Sequence, residues 1–142
     1  MAARDKIRSI LEKTRTIAVY GMSKDAGKTG YWVAEYLAGK GYDIIPVNPT
    51  AETIQKRKSY PDLQSVPKRI DTVLVFRRSE DALDAVREAV ARRQERGDVT
   101  VVWLQQGIRN EEARKLAEES GILFVQDRCM MHEYQMINLM EG

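Results

Sequence analysis

Short apolar runs alternate with amphipathic stretches along most of the chain. Residues 3–13 place Ala3, Ile7, Ile10 and Leu11 at three- and four-residue spacings among charged neighbours, which predicts a surface helix lying on a core. Residues 17–20 are apolar throughout and too short for a helix, the pattern of a strand buried on both faces. The helical period returns from Thr29 in Trp32, Val33, Tyr36 and Leu37, with Gly39 and Gly41 as its stop. A second strand spans residues 43–47, where Pro46 is tolerated only at a sheet edge or a local irregularity. Residues 50–69 show no period and contain Pro61 and Pro67, so they read as loop or a short irregular element. Then come a strand at 71–76 and a helix with Ser79 as N-cap, Leu83, Val86, Ala89 and Val90 inward, and Gly97 as stop. Arg92, Arg93 and Arg96 complement the dipole at that helix's end. A strand at 99–104, a helix capped by Asn110 with Ala113, Leu116 and Ala117 inward, and a strand at 122–125 follow. Residues 127–142 read as a short helix.

Five apolar runs separated by helical patterns imply right-handed crossovers and a mainly parallel five-stranded sheet with helices on both faces, an α/β fold in a single domain over residues 1–142. In such a sheet the loops after the strands meet at one edge, where ligands bind. Residues 21–30, Asn48 with Pro49, residues 76–78, residues 105–107 and residues 127–129 all fall there.

The first of these loops carries the candidate chemistry. A strand, a turn with Gly21 and Gly27, and a helix stand in the order of a phosphate site, in which free N–H groups at a helix start meet an anion. Gly27, Lys28 and Thr29 form the end of a mononucleotide P-loop, but Met22 stands where its first glycine belongs, and Asp71 begins a strand rather than ending one. A dinucleotide fingerprint fails as well, because Ser23 replaces the central glycine and Asn48 with Pro49 replaces the ribose-binding acid of the second strand. What remains is an anion site with Ser23 as hydroxyl donor, flanked by Lys24 and Lys28, with the run Lys56, Arg57 and Lys58 and the pair Arg77 and Arg78 able to approach from neighbouring loops.

Composition narrows the partners. With 23 basic and 21 acidic side chains the formal charge is +2, which argues against a nucleic-acid partner. No apolar run approaches a membrane span and the first residues lack the apolar segment of a secretory signal, so the expected setting is cytoplasmic with no membrane partner. A homo-oligomer stays open. One cysteine, Cys129, excludes an internal disulfide, and one histidine, His132, without paired cysteines gives no metal-ligand spacing.

The ordered set of Gly21, Ser23, Gly27 and Gly30, of Pro46, Asn48 and Pro49, of Tyr60, Pro61 and Leu63, of Phe76, Arg77 and Arg78, of Trp103, Gln105, Gln106 and Gly107, and of Asp127, Arg128 and Cys129 resembles small stand-alone CoA-binding proteins. These are related to the CoA-binding domain of succinyl-CoA synthetase alpha subunits. The resemblance implies a Rossmann-like three-layer fold and coenzyme A or an acyl-CoA as ligand. It further implies that the turn with Gly21, Ser23, Lys24, Gly27 and Lys28 holds phosphates, helped by Lys58. Asn48, Pro49, Phe76 and Arg77 would border the nucleotide, and Gln105 to Gly107 would line the cleft.

No catalytic residues stand out, and the catalytic machinery of the synthetases lies outside this domain. The alternative is an enzyme using NADP or another nucleotide in the same cleft. Trp32, Tyr36 and Trp103 sit at core-like spacing and read as packing residues, and Cys129 reads as a small buried apolar side chain. Its position after the last strand also motivates a mixed disulfide with the CoA thiol as an expectation.

Overall fold

The computed structural model describes residues 3–141, so Met1, Ala2 and Gly142, counted above in the single domain, lie outside the described residues. The chain runs α1 (Ala3–Lys13), β1 (Thr16–Tyr20), α2 (Thr29–Gly39), β2 (Asp43–Val47), β3 (Thr53–Ile54), β4 (Arg57–Lys58), β5 (Thr72–Val75), α3 (Ala82–Arg96), β6 (Val101–Leu104), α4 (Glu111–Glu119), β7 (Leu123–Val125) and α5 (Met130–Glu141). Five strands form one parallel sheet in the order β2-β1-β5-β6-β7, and the order reverses between β1 and β5. This is the Rossmann-like α/β architecture, with its switch point beside the turn after β1.

Alternation along each strand builds two cores. Ile17, Val19, Leu74 and Trp103 face one side, where α1, α2 and α5 cover them; Ala18, Val73, Val75 and Val102 face the other, under α3 and α4. Both cores are sealed, since Ile17, Leu74, Val73 and Trp103 are all fully buried. Among the described residues no helix is long and apolar enough to cross a membrane.

Pro46 lies on the edge strand β2. Its carbonyl accepts from the Tyr60 N–H outside the sheet, so the side on which it lacks a donor faces away from β1. At the opposite edge, the Lys6 Nζ donates to the Phe124 carbonyl of β7 at 2.6 Å.

Three expectations change. The segment read as loop contains a two-stranded antiparallel hairpin, β3 with β4, turned by Gln55 and Lys56 at φ of 54° and 63°. Ser79 does not cap α3: a single 3-10 turn (Ser79–Asp81) precedes the helix, and the Ser79 Oγ accepts from the Arg109 N–H instead. The arginines at the end of α3 are not just dipole partners. Arg92 is 1% exposed, pairs with the buried Asp98 at 2.9 Å and donates to the carbonyls of Leu63, Val66 and Lys68. Arg96 adds bonds to the Gln64 and Val66 carbonyls. The irregular 62–69 stretch is thus held by guanidinium groups that satisfy backbone acceptors no strand or helix could reach. Burial pushes the Asp98 carboxyl up, but bonds from Arg92 and the Ile70 N–H outweigh it and hold the group below the usual carboxylate range.

Asn110 caps α4 as its type predicts, accepting from the Ala113 N–H at 2.9 Å, and Gly97 ends α3 at φ 77°.

Candidate functional site

The loops after β1, β2, β5, β6 and β7 share the carboxyl edge of the sheet, and side chains tie them together. Gly21, at φ 84°, donates its N–H to the Val47 carbonyl and passes so close to β5 that an added Cβ would lie 2.7 Å from the Phe76 carbonyl oxygen and 2.8 Å from the Arg77 Cδ. Only glycine fits there. Gly30 opens α2 under the same neighbours, with the Phe76 ring and the Ser23 nitrogen each 3.4 Å from an added Cβ.

Inside the turn the Ser23 Oγ accepts from the Asp25 N–H, and the Asp25 Oδ1 accepts from the Gly27 N–H. These bonds leave the Ser23 hydroxyl hydrogen free to donate outward. Gly27 lies in the turn closed by the Lys28 N–H on the Asp25 carbonyl, without a positive φ and with open surroundings apart from Asp25. Lys28 stands at the N-cap of α2 in extended conformation, and no side chain caps that helix. At the α2 start the N–H groups of Lys28 and Tyr31 are spent on the Asp25 and Lys28 carbonyls, which leaves those of Thr29 and Gly30 to face an anion. Lys24, Lys28 and Arg77 are exposed, and no acidic side chain pairs with any of them among the described residues. Arg78 differs, since Glu80 and Asp81 engage it.

Asn48 works as a tie. Its Nδ2 donates to the Met22 carbonyl at 2.9 Å, and its Oδ1 accepts from the Thr50 N–H, so both ends of the amide are committed to holding the β1 and β2 loops in register. The Gly107 N–H is likewise occupied, donating to the Asp127 Oδ1 at 2.7 Å. That bond, opposed by burial and helped by Arg109, holds the Asp127 carboxyl below its ordinary range. The Trp103 Nε1 donates to the Arg128 carbonyl, fixing the path of the last loop.

Between α2 and these loops lies an open cleft of about 510 Å³, walled by Thr29, Trp32, Phe76, Arg77, Gln105, Gln106, Ile108 and Cys129. Trp32 is 43% exposed, so it is a wall of the cleft and not the core residue its spacing predicts. Cys129 is half-buried and lines the same cleft, rather than being sealed. Tyr36 and Trp103 pack as expected, Tyr36 edge-on against Tyr134. His132 is exposed on α5, and the described residues include no cluster of metal-ligating side chains. Tyr20 points away from the cleft core to donate to Glu88; burial first, and then that carboxylate, raises its pKa.

The structure brings Arg77, Phe76 and Gln105 to the cleft and places Gly21, Ser23, Lys24 and Lys28 on the turn beside it. Lys58 is elsewhere: its Nζ lies 5.3 Å over the Tyr60 ring, in a separate depression with Pro46, Pro67 and Lys68. Sequence reasoning missed Trp32 and Ile108 as cleft residues. Their signal is positional, since each sits within one turn of a loop already assigned to the ligand edge.

A family model described as a CoA binding domain matches residues 15–135. An uncharacterized protein of Bacillus subtilis, YneT, is 36% identical over 125 residues, which cover 88% of this chain and 89% of that protein. A hypothetical protein from Pyrococcus horikoshii of solved structure superposes with a TM-score of 0.89 at 34% identity, covering 96% of this chain and 93% of that one. An ADP-forming acetate–CoA ligase of Archaeoglobus fulgidus is 33% identical over 63 residues, 43% of this chain and 9% of the ligase.

Proposed function

This chain belongs to the CoA-binding domain family, and on that premise we propose that it binds coenzyme A or an acyl-CoA across the carboxyl edge of its sheet, its phosphates over residues 21–30. The observation that carries the reading is the start of α2, without a side-chain cap, beside three cations that pair with no acid among the described residues, Lys24, Lys28 and Arg77. Coenzyme A has a pyrophosphate and a ribose phosphate, so it calls for backbone donors at one point and basic side chains around it. Ser23 adds a hydroxyl donor, Gly21 and Gly30 allow the close approach of the two loops, and Asn48 with Pro49 borders the nucleotide by fixing the β2 loop. The apolar wall of Trp32, Phe76 and Ile108 suits the pantetheine arm. Gln105 reaches that arm, while Gly107 shapes its turn. Lys58, standing outside the cleft, receives no phosphate in this reading.

Titration calorimetry under reducing conditions with CoA, acetyl-CoA and 3′-dephospho-CoA tests it. The expected result is saturable one-to-one binding of CoA, weakened when the 3′-phosphate is absent. No saturable binding of any of the three refutes the proposal. Saturable binding of NADPH without binding of CoA would instead transfer the cleft to a nucleotide-dependent enzyme.

A further inference from the structure

The cleft contains a polar group that nothing among the described residues uses. Gln105 is 3% exposed, and its Oε1 accepts from the Met130 N–H at 3.3 Å. That backbone donor fixes the orientation of the amide, because only the oxygen end can accept. The Nε2 end has no partner among the described residues. Every sealed side-chain nitrogen or oxygen among the described residues is partnered, so this Nε2 is reached by solvent, and Gln105 meets solvent in the cleft. A buried side chain thus offers a bare N–H2 group at a ligand space whose walls include the apolar Trp32, Phe76 and Ile108 beside Thr29 and Arg77.

Cys129 shares that space. It holds the N-cap position of α5, its carbonyl accepting from the Glu133 N–H. It is the chain's single cysteine, so any disulfide it forms is with a thiol from outside. The distances match a particular thiol. From β1, which feeds the phosphate turn, to β7, which feeds Cys129, is three strand spacings, about 14 Å. A pantetheine arm has about the backbone length of four residues, which extends to about 14 Å. With phosphates over the turn after β1, an arm of that length can reach across the cleft that Thr29 and Cys129 share.

We propose that Cys129 forms a reversible mixed disulfide with coenzyme A by exchange with CoA disulfide, guided by Gln105 donating from Nε2 to a pantetheine amide carbonyl. The Cys129 thiolate attacks one sulfur of CoA disulfide. The S–S bond breaks, the Cys129–CoA disulfide forms, and the second CoA leaves as a thiolate that takes up the proton Cys129 gave up. Free thiol reverses the step. This inference rests on the cleft binding CoA.

The test is intact-mass analysis of the full chain after exposure to CoA disulfide or, at equal concentration, glutathione disulfide. Wild type gains one CoA, removed by dithiothreitol, on the order of tenfold faster than it gains glutathione, and Cys129→Ser gains neither. Gln105→Glu keeps the acceptor for Met130 and removes the donor; it cuts the preference for CoA disulfide about three- to tenfold. A folded wild type that binds CoA in the calorimeter but forms no adduct overturns this inference and leaves the proposed function standing. Failure of both binding and adduct overturns both. Equal rates with the two disulfides, or a preference unchanged in Gln105→Glu, reduce Cys129 to an unguided thiol and overturn it as well.

Discussion

Gly21→Ala should destabilise the protein more than its backbone angle alone explains. Two costs act together. At φ 84° an alanine takes a left-handed backbone, costing about 1–2 kcal/mol. Its methyl would also lie 2.7 Å from the Phe76 carbonyl oxygen. That oxygen cannot move aside cheaply, since Phe76 is tied to β1 through its N–H and the Tyr20 carbonyl at 2.8 Å. Overpacking of this kind adds about 1–3 kcal/mol, giving a total of about 2–5 kcal/mol. Gly97→Ala isolates the first cost: its φ is 77°, and an added Cβ meets no atom within 4 Å. For a chain of this length, each kcal/mol lowers Tm by roughly 3–4 °C. Thermal unfolding followed by circular dichroism should therefore show Gly97→Ala down by about 3–8 °C and Gly21→Ala by roughly 6–20 °C. If the two variants melt together, the contact between the β1 and β5 loops is not tight and the pre-shaped turn is refuted.

Removing Arg92 strands Asp98 as an unpaired buried charge, so Arg92→Met should cost about 3–5 kcal/mol in urea unfolding. Because the folded Asp98 carboxyl is held below its unfolded value, its contribution is whole above about pH 4 and is lost as pH falls through the folded pKa; Asp98→Asn should flatten the acid limb of a Tm-against-pH curve, and an unchanged limb contradicts the assignment. Trp32 is the exposed tryptophan and Trp103 the buried one, so CoA should change the emission of wild type but not of Trp32→Phe, whose remaining signal is blue-shifted. Persistence of the full change in that variant would place the ligand away from the cleft. Asn110→Ala loses the α4 cap, and about 1 kcal/mol of stability by chemical denaturation is expected.

Much of this was legible wherever the determinant is local. The strand, turn and helix around Gly21, the edge position of Pro46, the Asn110 cap and the Gly97 stop each follow from a residue type acting on its near neighbours. The failures share the opposite character. Trp32 has the helical spacing of Val33 and Leu37, but it stands in the first turn of α2, where it walls the cleft instead of meeting the core, and periodicity does not say where the core stops. Arg92 is one of three arginines in similar sequence surroundings; it is buried because carbonyls about 24 to 29 residues away come to it. The β3–β4 hairpin turns on Gln55 and Lys56, neither of which is the asparagine or glycine that announces such a turn. Gln105 is placed at the ligand edge by its position after a strand and in the cleft by family resemblance, but no sequence pattern tells that one end of its amide is occupied and the other bare.

Both outer strands of the sheet are closed to further pairing, by proline and the Tyr60 segment at β2 and by the Lys6 ammonium on the Phe124 carbonyl at β7. A parallel sheet left open at its margins is a template on which copies stack into fibres. Here a lysine, which pays a large desolvation cost if a neighbouring strand covers it, guards the side where Leu123 is half exposed. Lys6→Ala should fold as before and yet lose colloidal solubility on concentration, so this side chain serves the molecule's life among its copies more than its own architecture.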